Sequence, residues 1–416
     1  MRAVVKATPS PVKRLGAVAR SIAPEAANNV ATQERTTGGT LMKNVSVTIG
    51  LVALLLTSGI KAQDITVKWK VSDKKISVGY LPKVASDGIQ NVVTIAETGK
   101  GFTAFEDELG SYGLGVINWS GSSSYLFSPP QTTPQMGHSP SIALAYSGAT
   151  NYDSAIEVHQ GGQLGGSSLW YQIGSNAPPS FSGIHWSAAT TYDTGFNPTV
   201  AADLNIPAPA TTATVVEVHQ SAVNLSALWY HVGTLTLGPS PSISWGPALE
   251  INGGLNQGYV PTVSIANNLA LLVAQGSGGT LWYAIGVVDT GTSSINWSDP
   301  IPYGTGYNPT VSVYGDGTTD FIGSGRVLVE AHQVDNTTGS LVYSAGVLID
   351  GPLHSAPTSI NWSTVTDVSY ATGCYPSVAI AFYGYTPSSL SLTETHETAC
   401  GSATTMESSF GYLVSK

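Results

Sequence analysis

Tyr192-Asp-Thr-Gly-Phe-Asn-Pro-Thr-Val-Ala-Ala202, followed by Val215-Val-Glu-Val-His-Gln220, Leu228-Trp-Tyr230 and Ile243-Ser-Trp245, is the stretch that decides the fold. Each piece is short, rich in β-branched and aromatic residues, and set off by Gly, Pro, Ser or Asn, which is how strands joined by turns read. Outward from it, the first element, Gly195-x-x-Pro198-x-Val200, returns as Gly79/Pro82/Val84, Gly137/Pro140/Ile142, Gly258/Pro261/Val263, Gly306/Pro309/Val311 and Gly373/Pro376/Val378. The last element, an aliphatic residue two before a Trp, returns as Val67/Trp69, Ile117/Trp119, Ile184/Trp186, Ile295/Trp297 and Ile360/Trp362. Six copies of each, with successive glycines 48 to 67 residues apart, match the period of a propeller blade of four strands with loops of unequal length.

The first Val-x-Trp precedes the first Gly-x-x-Pro, and the last copy has no terminal Trp, so the two ends complement each other. The sequence therefore predicts an all-β, six-bladed β-propeller of four-stranded antiparallel blades, its ring closed by an N-terminal outer strand pairing with the C-terminal blade. Pro opens the first strand, where a missing N–H is tolerated, and Trp supplies an apolar body for the widening gap between blades. Cys374 stands at the start of strand one of the last copy and Cys400 just after strand two, neighbouring points of an antiparallel pair, so a disulfide is expected.

Composition supports a β-rich unit with almost no helix: 10% of residues are charged, against roughly 25% in an ordinary domain, and polarity is carried by hydroxyls and amides. A net charge of −10 with no basic run argues against a nucleic-acid partner. Residues 1–41 read as an upstream extension, and residues 42–62, with the apolar run Val45 to Ile60, read as a signal peptide cut after Ala62, too short for a membrane span. Residues 63–416 are then one propeller domain, secreted or periplasmic.

The variation that could carry function lies in strands two and three. Strand two holds Glu157/His159/Gln160, Glu217/His219/Gln220, Glu330/His332/Gln333 and Glu394/His396 with Glu397 in place of Gln, whereas the first and fourth copies lack the Glu–His pair. Residues two apart on a strand share a face, so each pair presents a carboxylate beside an imidazole. That combination suits the vicinal hydroxyls of a sugar, and it equally suits a buried network holding blades in register. Strand three holds Trp170, Trp229 and Trp282, each within Leu-Trp-Tyr, with Leu341-Val-Tyr in the fifth copy, Phe410-Gly-Tyr in the sixth and only Tyr112 in the first. An indole can stack on the apolar face of a pyranose, or simply fill the space between blades.

These repeats, Tyr-x-x-Gly-x-Asn-Pro-x-Val-Ala, then Val-Val-Glu-Val-His-Gln, then Leu-Trp-Tyr, resemble those of the PLL-like fucose-binding bacterial propeller lectins. The third copy matches almost throughout, the second and fifth follow closely, and the likeness covers about residues 64–416. It implies a multivalent lectin with several sugar sites between blades, taking fucose or related O-methylated glycans, with Glu157, His159, Gln160, Trp170, Glu217, His219, Gln220, Trp229, Trp282, Glu330, His332, Gln333, Glu394 and His396 as ligand contacts. Family members have seven more regular blades, where six are counted here. Neither metal nor cofactor is called for, since no compact acidic calcium loop or zinc motif occurs. Catalysis is not expected, because the recurring acid appears once per blade and no sialidase-type Asp box is present. A propeller scaffold for protein–protein interaction and a glycan-active enzyme are the competing classes.

Overall fold

The computed structural model describes residues 65–415, except 89–90, 99–108, 118–124, 128–130, 148–151, 162–165, 177–183, 204–209, 252–257, 316–325, 338, 349–358, 383–389 and 401–403. The expectations for the extension, the signal peptide and its cut, and for Trp119, lie outside these residues. Among the described residues the chain is all-β, the single helical element being a 3₁₀ turn at Ser277–Gly279.

Backbone pairing divides the strands into six antiparallel sheets. Sheet three, grown from the stretch quoted first, sets the pattern. Its inner strand is the latter half of Thr190–Ala202, followed by Thr212–Ser221, Leu228–Thr236 and an outer edge made of Ser242–Trp245 and Leu249–Glu250. The second and third strands are Asn91–Thr98 and Leu109–Ile117 in sheet one, Tyr152–Gly161 and Ser168–Asn176 in sheet two, and Leu269–Gln275 and Thr280–Asp289 in sheet four. Sheet five has Arg326–Gln333 and Gly339–Leu348, and sheet six has Leu390–Glu397 and Thr404–Ser415. Ile65–Ser86 belongs to two sheets: its Ile65 to Gly79 part pairs with Thr404–Ser415 as the outer edge of sheet six, and its Tyr80 to Ser86 part pairs with Asn91–Thr98 in sheet one. Such sheets, each giving its first strand to a common centre, make a β-propeller.

The chain bends at the start of each inner strand, where the residue before each motif proline is left-handed. Leu81, Ser139, Asn197, Val260, Asn308 and Tyr375 all have φ between 45° and 50°. A residue preceding Pro is driven out of the right-handed helical region, and an L-residue in the left-handed one costs about 1–2 kcal/mol unless something compensates. At four of the six the compensation is a hydrogen bond from its N–H to a residue at the end of strand two in the preceding sheet. Leu81 donates to Glu397 Oε1 at 2.6 Å, Ser139 to Glu97 Oε1 at 2.5 Å, Asn308 to Gln275 Oε1 at 3.1 Å and Tyr375 to Gln333 Oε1 at 2.9 Å.

Two further layers fasten sheet to sheet. Near the centre, N–H groups of Val84, Val200, Val313 and Ile380 donate to Ser377, Ser141, Ser264 and Ser312 Oγ of the neighbouring inner strand at 3.0–3.1 Å. These inner strands surround a cavity of about 60 Å³ to which all six sheets contribute, among them Ser86, Leu144, Ala202, Ser264, Ser312 and Ile380. At the rim, the Tyr of Leu-x-Tyr reaches across: Tyr230, Tyr283 and Tyr343 hydroxyls accept the N–H of Ile295, Ile360 and Val67 at 3.0–3.2 Å. Each of those rings also meets the next sheet's Trp edge to face, at 6.0 Å for Tyr230–Trp297, 6.3 Å for Tyr283–Trp362 and 6.2 Å for Tyr343–Trp69. The terminal Trp residues thus fill the widening gap between sheets.

Cys374 and Cys400 are joined in a disulfide with Cα atoms 5.4 Å apart, as the antiparallel placement predicts. No helix among the described residues is long and apolar enough to cross a membrane.

Candidate functional site

The four Glu–His pairs lie between sheets, sealed from solvent. Glu157, Glu217, Glu330 and Glu394 are no more than 2% exposed, and their histidines no more than 4%. In each, His Nδ1 sits against both carboxylate oxygens of the Glu two residues before it: 2.9–3.0 Å in sheet two and 3.1–3.2 Å in sheets three, five and six. A carboxylate only accepts, so the proton rests on Nδ1 and Nε2 is turned away from the pair. The carboxylates also take bonds from the preceding sheet: Tyr303 Oη donates to Glu330 at 2.9 Å and Tyr370 Oη to Glu394 at 3.0 Å. Burial first, and then the neighbouring carboxylate, push the Tyr192 and Tyr303 phenols well above their ordinary range, which keeps both hydroxyls protonated. Burial pulls the His332 imidazole down, but Glu330 beside it holds it above its ordinary value.

The motif glycine is explained by the same pair. A Cβ on Gly306 would lie 2.3 Å from His332 Cδ2, and one on Gly195 would lie 2.4 Å from His219 Cδ2. The imidazole edge therefore lies flat on the backbone where the inner strand begins.

The glutamines that follow the pairs have their amides committed. Gln333 Oε1 accepts the Tyr375 N–H and Asn308 Nδ2–H, while its Nε2 donates towards the Asp335 and Thr337 carbonyls at 3.3–3.4 Å. Gln160 and Gln220 Nε2 donate to the Gly166 and Leu225 carbonyls, both at 2.7 Å, and Gln220 Oε1 accepts from Asn197 Nδ2.

Of the strand-three indoles, Trp170 and Trp229 are half-buried, and each stands directly opposite the histidine of its sheet, His159 and His219. Directly opposed residues share a face, so each indole lies beside a Glu–His pair and reaches outward past it. Trp282 is instead buried in the apolar layer between sheets three and four, where Leu272 and Ala274 occupy the Glu and His places. The register corrects the sequence alignment of the sixth copy. His396 faces Glu407, and Gly411 faces Trp69 as Gly233 faces Trp245, so Met406-Glu-Ser408 corresponds to Leu-Trp-Tyr, four residues before Phe410-Gly-Tyr.

Two residues absent from the sequence reading meet in the cleft between sheets two and three. Asp193 Oδ2 lies 2.8 Å from His231 Nε2 and 3.7 Å from His219 Nε2, and Asp193 Oδ1 accepts the Thr194 N–H at 2.7 Å. Burial opposes ionisation of both, yet the hydrogen bond between them holds the Asp193 carboxyl below its ordinary value and the His231 imidazole above its own. Because neither residue repeats, repeat-based reading passes over them. The one available signal was that Asp193 and His231 flank the motif tyrosines Tyr192 and Tyr230 in a single copy. Among the described residues no group of three or more His, Cys, Asp or Glu is arranged to hold a metal ion.

No family model matches the chain, and no curated protein matches it. Solved structures do. They include the intramolecular trans-sialidase from Ruminococcus gnavus in complex with oseltamivir carboxylate, at 8% identity over 84% of this chain and 98% of that one, TM-score 0.48. The leech intramolecular trans-sialidase matches at 9% identity over 86% of this chain and 71% of that one, TM-score 0.49. A neuraminidase-like protein from A/bat/Guatemala/164/2009 matches at 10% identity over 84% and 94%, TM-score 0.42. Trans-sialidases are among these matches, so the expectation that the chain performs no catalysis is withdrawn. At such identities the likeness concerns the fold, and no catalytic residue is carried over.

Proposed function

We propose that the six sheets close into a six-bladed ring and that the clefts between blades bind carbohydrate, as in the PLL-like lectins whose repeats this chain resembles, with fucose or a related O-methylated sugar as ligand and export as the setting. The observation that carries this reading is the repeated placement of a half-open indole beside a hydrogen-bonded Glu–His pair, Trp170 with His159 and Trp229 with His219. A stacked ring holds the apolar face of a sugar, and the buried, hydrogen-bonded Glu–His pair behind it fixes the wall from which the indole projects. The glutamates act one step back, fixing the imidazoles, and the glutamines hold the cleft walls. Sites repeated around a ring raise avidity on a glycan-bearing surface by roughly 10²–10⁴ without new contacts. The disulfide accords with an oxidising compartment. A glycan array probed with the purified protein tests the reading: retention on fucosylated or O-methylated glycans supports it, and no signal on any of them at micromolar protein rejects it.

A further inference from the structure

The cleft between sheets two and three differs from the others by an ion pair at its mouth. Tyr192 is followed by Asp193, whereas the matching tyrosines Tyr303 and Tyr370 are followed by Gly304 and Ala371. In the His231 place the other sheets have Gly113, Gln172, Ala284, Ser344 and Ser409. Neighbouring strand residues ordinarily point to opposite faces, but Leu169 pairs with Asp193 and Trp170 with Thr191, leaving Tyr192 as an inserted residue. The insertion turns Tyr192 and Asp193 into the same cleft, against Glu217, His219 and His231 of sheet three.

The hydrogen-bond partners define the charges. His231 Nδ1 lies 3.0 Å from the Gly246 carbonyl oxygen and Nε2 lies 2.8 Å from Asp193 Oδ2; both partners only accept, so the ring carries both protons. His231 and Glu217 are directly opposed, and so are His219 and Trp229, which puts the indole, both imidazoles and the carboxylate on one wall-to-wall path. His219 and His231 stack with ring centres 6.0 Å apart. The imidazoles are buried, but the Asp193 side chain is 25% exposed, so its carboxylate edge is the charged group of this path that a ligand reaches.

We propose that Asp193 is the specificity-determining acceptor of this cleft, taking two adjacent hydroxyls of a neutral sugar whose ring face rests on Trp229. This rests on the carbohydrate reading above and deepens it. A fixed carboxylate accepts two hydroxyl hydrogen bonds at once, and such charge-assisted bonds are roughly twice as strong as neutral ones. The same carboxylate, with Glu217 behind it, disfavours a sugar that carries its own carboxylate.

Calorimetric titration with methyl α-fucoside, and separately with N-acetylneuraminic acid, tests this on the intact protein and on Asp193→Asn, with Asp289→Asn on a remote exposed turn as control. The expected result is binding of the fucoside, weaker or no binding of the carboxylated sugar, about tenfold or greater loss of affinity or loss of one site in Asp193→Asn, and no change in Asp289→Asn. Equal affinity and stoichiometry in Asp193→Asn and the unmodified protein overturns the role of Asp193 while leaving carbohydrate binding intact. No binding of either sugar to the unmodified protein overturns both. A crystal of the unmodified protein soaked with the fucoside decides independently of any variant: a sugar hydroxyl within hydrogen-bond reach of Asp193 supports the proposal, and a sugar bound only elsewhere refutes it.

Discussion

Replacing Glu397 by Gln should stabilise the protein at neutral and alkaline pH and do little at acid pH. Glu397 occupies the place that Gln160, Gln220, Gln275 and Gln333 hold in other sheets, and it is fully buried. Its Oε1 accepts the Leu81 N–H at 2.6 Å, while Oε2 has no partner. Burial pushes the carboxyl up to about 7 from its ordinary 4.5; the Leu81 bond pulls the other way, and the Glu97 charge adds to the rise. Between these two values the folded chain keeps a proton that the unfolded chain has released. Stability from this group is therefore complete below about pH 4.5, falls as pH rises towards 7, and stays low above it. At about 1.4 kcal/mol per pKa unit the loss is on the order of 3 kcal/mol. An amide avoids it, less about 1 kcal/mol if its new N–H donor finds no partner, leaving a net gain of about 2 kcal/mol. Urea unfolding of both proteins at pH 8 and pH 5 reads this directly. A variant less stable than the unmodified protein at pH 8, or one with the same advantage at both pH values, would refute the reasoning.

Two more outcomes follow from the contacts between sheets. Tyr230→Phe removes the acceptor for the Ile295 N–H and leaves that group buried, so unfolding free energy should fall by about 1–3 kcal/mol in denaturant titration with near-ultraviolet dichroism of the native state unchanged. Gly306→Ala places a Cβ 2.3 Å from His332 Cδ2 and 2.7 Å from the Gln333 carbonyl oxygen, and should cost about 1–3 kcal/mol or more. The double variant Gly306→Ala/His332→Ala should lose less than the sum of the two singles, since His332 is part of what the new methyl strikes.

The repeating parts of the fold were legible because period is visible in one chain. Gly-x-x-Pro and Ile-x-Trp recur, and the inner strands and rim indoles fall where those motifs place them. The left-handed residue before each proline was not legible, since Leu81, Val260 and Tyr375 hold it as well as Asn197 and Asn308; at Leu81 and Tyr375 a bond to the preceding sheet supports it, not the residue type. Alternation correctly put Glu217 and His219 on one face, but burial of that face depends on Tyr171, Tyr192 and Trp245 packing there, which no local pattern encodes. Asp193 and His231 were missed for the opposite reason: a search for what repeats discards what occurs once.

The left-handed residues also set an order of events during synthesis. Ser139 waits for Glu97, and Tyr375 for Gln333, partners already made when each emerges. Leu81 alone among these bonded residues waits for something not yet translated, because its acceptor is Glu397 and the strand beside Ile65 to Gly79 is Thr404–Ser415. The Ile65 to Gly79 segment must therefore stay unpaired and accessible until Thr404–Ser415 has been translated, and a chain that stalls before then leaves it as an open edge for the nearest other strand to occupy.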